Sequence, residues 1–188
     1  MSNALRNKTV AILATDGFEQ VELTEPKKAV EQAGATTRLL SIKDGEIQGM
    51  HHDKPGDRFK VDGLVADATV DEFDALILPG GVANPDTLRL DEAAVAFVRD
   101  FTRSGKPIGV ICHGAWTMVE ADVVRGRRMT AWPSVRTDLR NAGADVVDEE
   151  VVTDKGLVSS RNPDDLPAFC KKIVEEFAEG RHEDRVSE

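Results

Sequence analysis

The residues best suited to covalent chemistry lie in one run, Lys106-Pro107-Ile108-Gly109-Val110-Ile111-Cys112-His113-Gly114. A short β-branched strand that feeds a small nucleophile and then a helix makes a sharp elbow. In α/β hydrolases such an elbow lifts a serine to the carboxyl edge of the sheet. A thiol in that place sits at a helix N-terminus, where partial positive charge favours thiolate over thiol. From spacing alone a nucleophile and an inert buried thiol are equal readings, since free cysteine is among the most buried residue types. Cys170 follows no elbow; it lies in the amphipathic run Asp164-Asp165-Leu166-Pro167-Ala168-Phe169-Cys170 and reads as a packing residue.

Leu78-Pro79-Gly80-Gly81 ends a second apolar strand with two glycines, which let backbone N–H groups come close to a substrate. Gly80 or Gly81, together with the N–H of His113, is a candidate oxyanion hole, although the same pair suits a plain turn. His51-His52-Asp53 sets two imidazoles side by side in a Gly/Pro-rich stretch. It lacks the separated ligand pairs of a zinc site, so neither a metal nor a cofactor is expected.

The elements that must hold these residues alternate between apolar runs and helical patterns, the mark of βαβ units around a mostly parallel sheet. Strands are read at 9–14, 36–42, 75–78 and 108–111, and further on near 128–131, 145–147, 150–153 and 157–160. Helices are read over 21–33, 92–104, 114–121, 134–142 and 164–178. Asp91 is the expected N-cap of the second helix, and Gly34 and Gly105 stop the first and second. The polar stretch 43–60 reads as a hairpin or irregular excursion. Residues 1–7 form a polar arm and 180–188 a frayed polar tail, so the expectation is one domain spanning 1–188 with its core at about 8–178.

The chain has 188 residues, a net charge of −10 and two cysteines. That suits a single α/β domain and excludes a disulfide framework. No Lys/Arg run exceeds two residues, so no nucleic-acid partner is expected. No stretch reaches the roughly 18 apolar residues of a membrane helix, and no signal peptide is read at the start, so the expected location is the cytoplasm.

These stretches together resemble the PfpI-type intracellular protease and stress-protein family, within the superfamily of the Parkinson-associated deglycase and the class I glutamine amidotransferases. The resemblance is carried by Asp16-Gly17-Phe18-Glu19-Gln20-Val21-Glu22-Leu23, by Phe73 through Gly81 and by Gly105 through Gly114. It continues through Val124-Arg125-Gly126-Arg127, Asn141-Ala142-Gly143-Ala144 and Ser159 through Leu166. It implies a flavodoxin-like three-layer sandwich with a nucleophile elbow. It also implies that Cys112 is the nucleophile, that His113 is its neighbouring histidine and that Glu19 hydrogen-bonds the sulfur. A carboxyl touching a thiolate must be protonated, so Glu19 is expected to have a raised pKa.

The third catalytic position implied by the resemblance is Asp86, an acid that reaches the histidine from a neighbouring subunit. A homo-oligomer follows, a dimer at least, with a larger symmetric assembly such as a hexamer as the alternative. Trp132 stands where some members carry Tyr, in the substrate pocket, and Ala115 replaces a frequent proline. Side chains adjacent in sequence do not ordinarily face one another, which argues against simple peptidase chemistry by Cys112 and His113. The preferred expectation is glyoxalase or deglycase action on methylglyoxal or glycated groups. A cysteine peptidase acting on peptides is the runner-up, and a redox sensor or holdase without turnover the third reading. Glutamine amidotransferase activity is not expected, because the only later histidine is His182 in the polar tail.

Overall fold

Strand-forming runs that are apolar at every position must be covered on both faces, and the computed structural model, which describes residues 3–182, shows how this is done. Its first half comprises β1 (Thr9–Leu13), β2 (Phe18–Glu19), α1 (Gln20–Gln32), β3 (Thr36–Ser41), β4 (Glu46–His51), β5 (Lys54–Lys60), β6 (Gly63–Leu64) and β7 (Ala75–Leu78). Then follow α2 (Ala83–Leu88), α3 (Glu92–Arg103), β8 (Ile108–Ile111), α4 (Ala115–Glu120), β9 (Arg128–Met129) and α5 (Arg136–Asn141). β10 (Asp145–Val146), β11 (Val152–Asp154), β12 (Leu157–Ser160) and α6 (Leu166–Glu179) complete it.

The central sheet has the order β11-β12-β8-β7-β1-β3-β6, parallel throughout except for the antiparallel edge pair β11–β12. Side chains alternate between its faces with period two. Ala11 and Leu13 join a core with Val98, Phe101, Met118 and Leu139 from α3, α4 and α5. Val10 and Ile12 join the opposite core with Leu23, Val30, Phe169 and Ile173 from α1 and α6. The result is a mixed α/β structure with a mostly parallel sheet between two helical layers, as a flavodoxin-like fold requires.

From β1 the chain goes to one side, to β3, and then returns to the other side of β1 as β7. That reversal opens a crevice at the carboxyl ends of β1 and β7, where ligands of open α/β sheets gather. β8 lies next in the sheet, so its elbow opens into the same crevice. A second sheet, β2-β4-β5, flanks it; β4 and β5 form an antiparallel hairpin whose turn is His52-Asp53, with His52 at φ 57°. Asp91 caps α3, accepting the N–H of Ala94 at 2.8 Å.

Three features depart from the sequence reading. The short helix α2 was not expected, since six residues beginning Ala-Asn-Pro carry too little periodicity to show. The N-terminal arm is anchored: Leu5 is fully buried and its N–H donates to the Ala33 carbonyl at 2.8 Å. At the other end the His182 N–H donates to the Gly105 carbonyl at 2.8 Å, so the chain is docked this far; the rest of the tail expected to fray lies outside the described residues.

Candidate active site

Cys112 occupies the elbow with φ 62°, in the left-handed region that side chains other than glycine seldom enter. The turn is tight because β8 passes into a single 3-10 turn, 112–114, before α4 starts. The N–H groups of His113 and Gly81 point at its sulfur and favour the thiolate. Burial and then the charge of a neighbouring carboxyl act the other way and win, raising the thiol above its ordinary pKa. The low pKa expected from a helix N-terminus is therefore not found; desolvation of a residue only 5 % exposed outweighs the backbone dipoles.

The carboxyl at the thiol belongs to Glu22, not to Glu19. Glu22 is completely buried on the inner face of α1, opposite the Cys112 thiol and the Gly80 N–H. Both its oxygens are buried without an aligned hydrogen-bond partner. Burial, the largest cause, pushes its pKa up to about 8, so it holds a proton at neutral pH. Glu19 instead sits at the end of β2, where its Oε2 accepts the N–H of His52 at 3.1 Å. Helical phase was the signal that distinguishes them: Glu22, Leu23, Pro26 and Val30 share the buried stripe of α1, and Glu19 precedes the helix.

The glycine loop after β7 also divides its tasks. The Gly80 N–H faces Glu22, while those of Gly81 and His113 face the sulfur. A Cβ on Gly80 would lie 2.7 Å from the Cβ of Cys112, so glycine is what lets the loop meet the elbow. Gly81, at φ 76°, packs against the loop after β1, where a Cβ would lie 2.4 Å from the Gly17 carbonyl oxygen. Asn84, fully buried on α2, ties the two loops together. Its Oδ1 accepts the Thr15 N–H at 2.8 Å, and its Nδ2 donates to the carbonyls of Pro79 and Gly80 at 3.1 and 3.0 Å. The sequence reading did not single this residue out.

The left-handed cysteine also brings together two side chains that a regular helix would keep apart. His113 Nδ1 lies 3.1 Å from Cys112 Sγ, which removes the geometric objection to proton transfer between them. Trp132 stacks on the imidazole at 5.4 Å between ring centroids, Trp116 meets it edge-on at 5.2 Å, and Ser134 Oγ lies 3.4 Å from Nε2. Burial lowers the pKa of His113, which keeps the ring neutral at neutral pH. Asp86 is exposed on α2 and makes no side-chain hydrogen bond among the described residues, so within one chain it does not reach His113.

Cys112, His113, Glu22, Glu19, Gly81 and Trp132 line one cleft of about 660 Å³. His52 and Asp53 of the hairpin turn close its side. Cys170 lies elsewhere, half-buried on α6, where burial and the nearby charge of Glu25 push its thiol up to about 12. Among the described residues, the one group of three side chains able to hold a metal is Glu176, Glu179 and His182, outside the cleft.

The sequence profile of the DJ-1/PfpI family matches residues 8–176. The Escherichia coli protein named protein/nucleic acid deglycase 2 is 45 % identical over 171 residues, which span 89 % of this chain and 96 % of that protein. YraA of Bacillus subtilis, provisionally named a cysteine protease, is 41 % identical over 169 residues, spanning 89 % and 97 %. In structure, Drosophila melanogaster DJ-1beta superposes with a TM-score of 0.83 at 24 % identity, covering 99 % of this chain and 94 % of that one.

Proposed function

The chain belongs to the DJ-1/PfpI family, and from that premise we propose that it is a thiol-dependent enzyme converting α-oxoaldehydes such as methylglyoxal, free or as early adducts on proteins, into hydroxy acids. The observation that carries this reading is the set around Cys112: a neutral imidazole 3.1 Å from the sulfur and a buried, protonated carboxyl on its other side. The imidazole takes the thiol proton as sulfur adds to the aldehyde carbon, and the former carbonyl oxygen is protonated, giving a hemithioacetal. The hydrogen on that carbon then leaves as a proton and is returned to the neighbouring carbon, producing a hydroxyacyl thioester. Water cleaves the thioester, releasing lactate and the thiol. The sum is methylglyoxal plus water to lactate, with no outside oxidant or reductant. In this reading the N–H groups of Gly81 and His113, which face the sulfur, also hold negative charge on oxygen during addition and hydrolysis.

Peptidase action is the second reading, favoured by the same contact between sulfur and imidazole and by the name given to YraA. It requires Asp86 from a second copy to orient His113, and so a homo-oligomer, with its place of work in the cytoplasm. The deciding experiment follows methylglyoxal by proton NMR in the presence of chelator, with wild type and Cys112→Ser side by side. Lactate formed by wild type and lost in the variant supports the first reading. No turnover by wild type sinks it.

A further inference from the structure

We infer that the cleft selects among carbonyl compounds by charge, favouring those that carry a cationic group tethered away from the reacting carbon and repelling anionic ones. The inference deepens the thiol-enzyme reading above and rests on it for the word substrate, but the charge of the cleft stands on its own observations.

Asp16, Glu19 and Asp53 line the cleft around Cys112 together with Glu22, and no Lys or Arg is among its lining residues. Asp16 is answered by Lys43, at 2.5 Å. Glu19 is not: nine-tenths buried, its side chain has the His52 backbone N–H as its partner and no ion pair among the described residues. Asp53 stands exposed at the hairpin turn with no ion pair among the described residues. The other ionisable groups facing the space are the imidazoles of His52 and His113, the second held neutral by burial.

Glu19 on the buried wall and Asp53 at the exposed rim, neither in an ion pair among the described residues, set a negative field in the cleft. The net charge of −10 acts in the same direction at longer range. A guanidinium or ammonium tethered to the reacting carbonyl would find a partner at Glu19 or Asp53, while the carboxylate of an oxo acid would be repelled by both. Glu19 thus acts as a selector on the wall and not as the group at the sulfur.

The test is the rate at which Cys112 reacts with two methanethiosulfonates of matched size, one bearing a trimethylammonium group and the other a sulfonate. In each case sulfur displaces methanesulfinate, a mixed disulfide forms and the thiol proton goes to solvent. Mass spectrometry assigns the label to Cys112 or Cys170. The ratio of cationic to anionic rates, divided by the same ratio for free N-acetylcysteine amide, is expected to be about tenfold for two screened carboxylates. It is expected to fall close to one in the double variant Glu19→Gln/Asp53→Asn. In wild type it is expected to collapse at roughly 1 M salt, where the screening length is about 3 Å, which keeps the test independent of how the variant folds. A wild-type ratio near one or below overturns the inference. So does a ratio indifferent to salt, or failure of Cys112 to react with the cation. Because labelling needs no turnover, a lack of lactate formation would sink the proposed function while leaving this result readable.

Discussion

Replacing Glu22 by glutamine keeps the shape of a fully buried side chain and removes its ionisation, so the variant isolates what that carboxyl costs the fold. With burial raising its folded pKa from 4.5 to about 8, the native state binds a proton that the unfolded state gives up across this interval. The contribution of Glu22 is therefore most favourable below pH 4.5 and is lost as pH rises through about 8. At ~1.4 kcal/mol per unit, the carboxyl should cost about 1 kcal/mol near pH 5 and about 4 kcal/mol near pH 7.5. Glu22→Gln is thus expected to gain about 3 kcal/mol of stability on wild type across that range. Cys112 does not confuse the comparison, because its ordinary value of 9.0 lies above the window and burial moves it higher. Urea unfolding followed by the fluorescence of the two tryptophans, at a series of pH values, measures the difference directly. A stability difference that stays flat from pH 5 to 7.5 would refute the raised pKa, and with it the protonated carboxyl beside the thiol.

Asn84→Ala should lower stability by about 2 to 4 kcal/mol, since it strands the Thr15 N–H and two carbonyls that now share one buried amide; urea midpoints check this. At position 112, glycine should be more stable than alanine by about 1 kcal/mol, because both lose the sulfur but only alanine keeps a Cβ at φ 62°; thermal melts of the pair decide it. Trp132→Ala removes the ring stacked on His113 and should cut lactate formation roughly tenfold through kcat, while alkylation of Cys112 continues. Equal loss of alkylation would mean that the tryptophan holds the elbow itself.

Much of the frame could be read from the chain because its strands are uniformly apolar and its turns are marked by glycine. Ile108 to Ile111 ends at a cysteine and Ala75 to Leu78 ends at Pro-Gly-Gly, and adjacent parallel strands necessarily bring those two ends to one edge. The errors fall where the outcome depends on helical phase or long-range packing. Glu19 and Glu22 differ by less than one turn, and only the buried stripe of α1 decides which of them reaches a thiol 90 residues away. Asn84 gave no signal in the sequence because its partners, Thr15, Pro79 and Gly80, become neighbours only when two loops meet. The pairing of Cys112 with His113 contradicted the usual rule for adjacent residues, and it took one left-handed φ to reverse it.

That φ bears on how variants of this protein will fare under selection. The elbow charges any side chain with a Cβ for its place, and glycine alone escapes the charge. A library screened only for heat resistance should therefore drift toward glycine at position 112 and glutamine at position 22, each change making a sturdier molecule, the first without the thiol and the second without the carboxyl beside it. Thermal robustness and chemistry pull against each other at the same two positions, so a screen meant to improve this chain has to score both together.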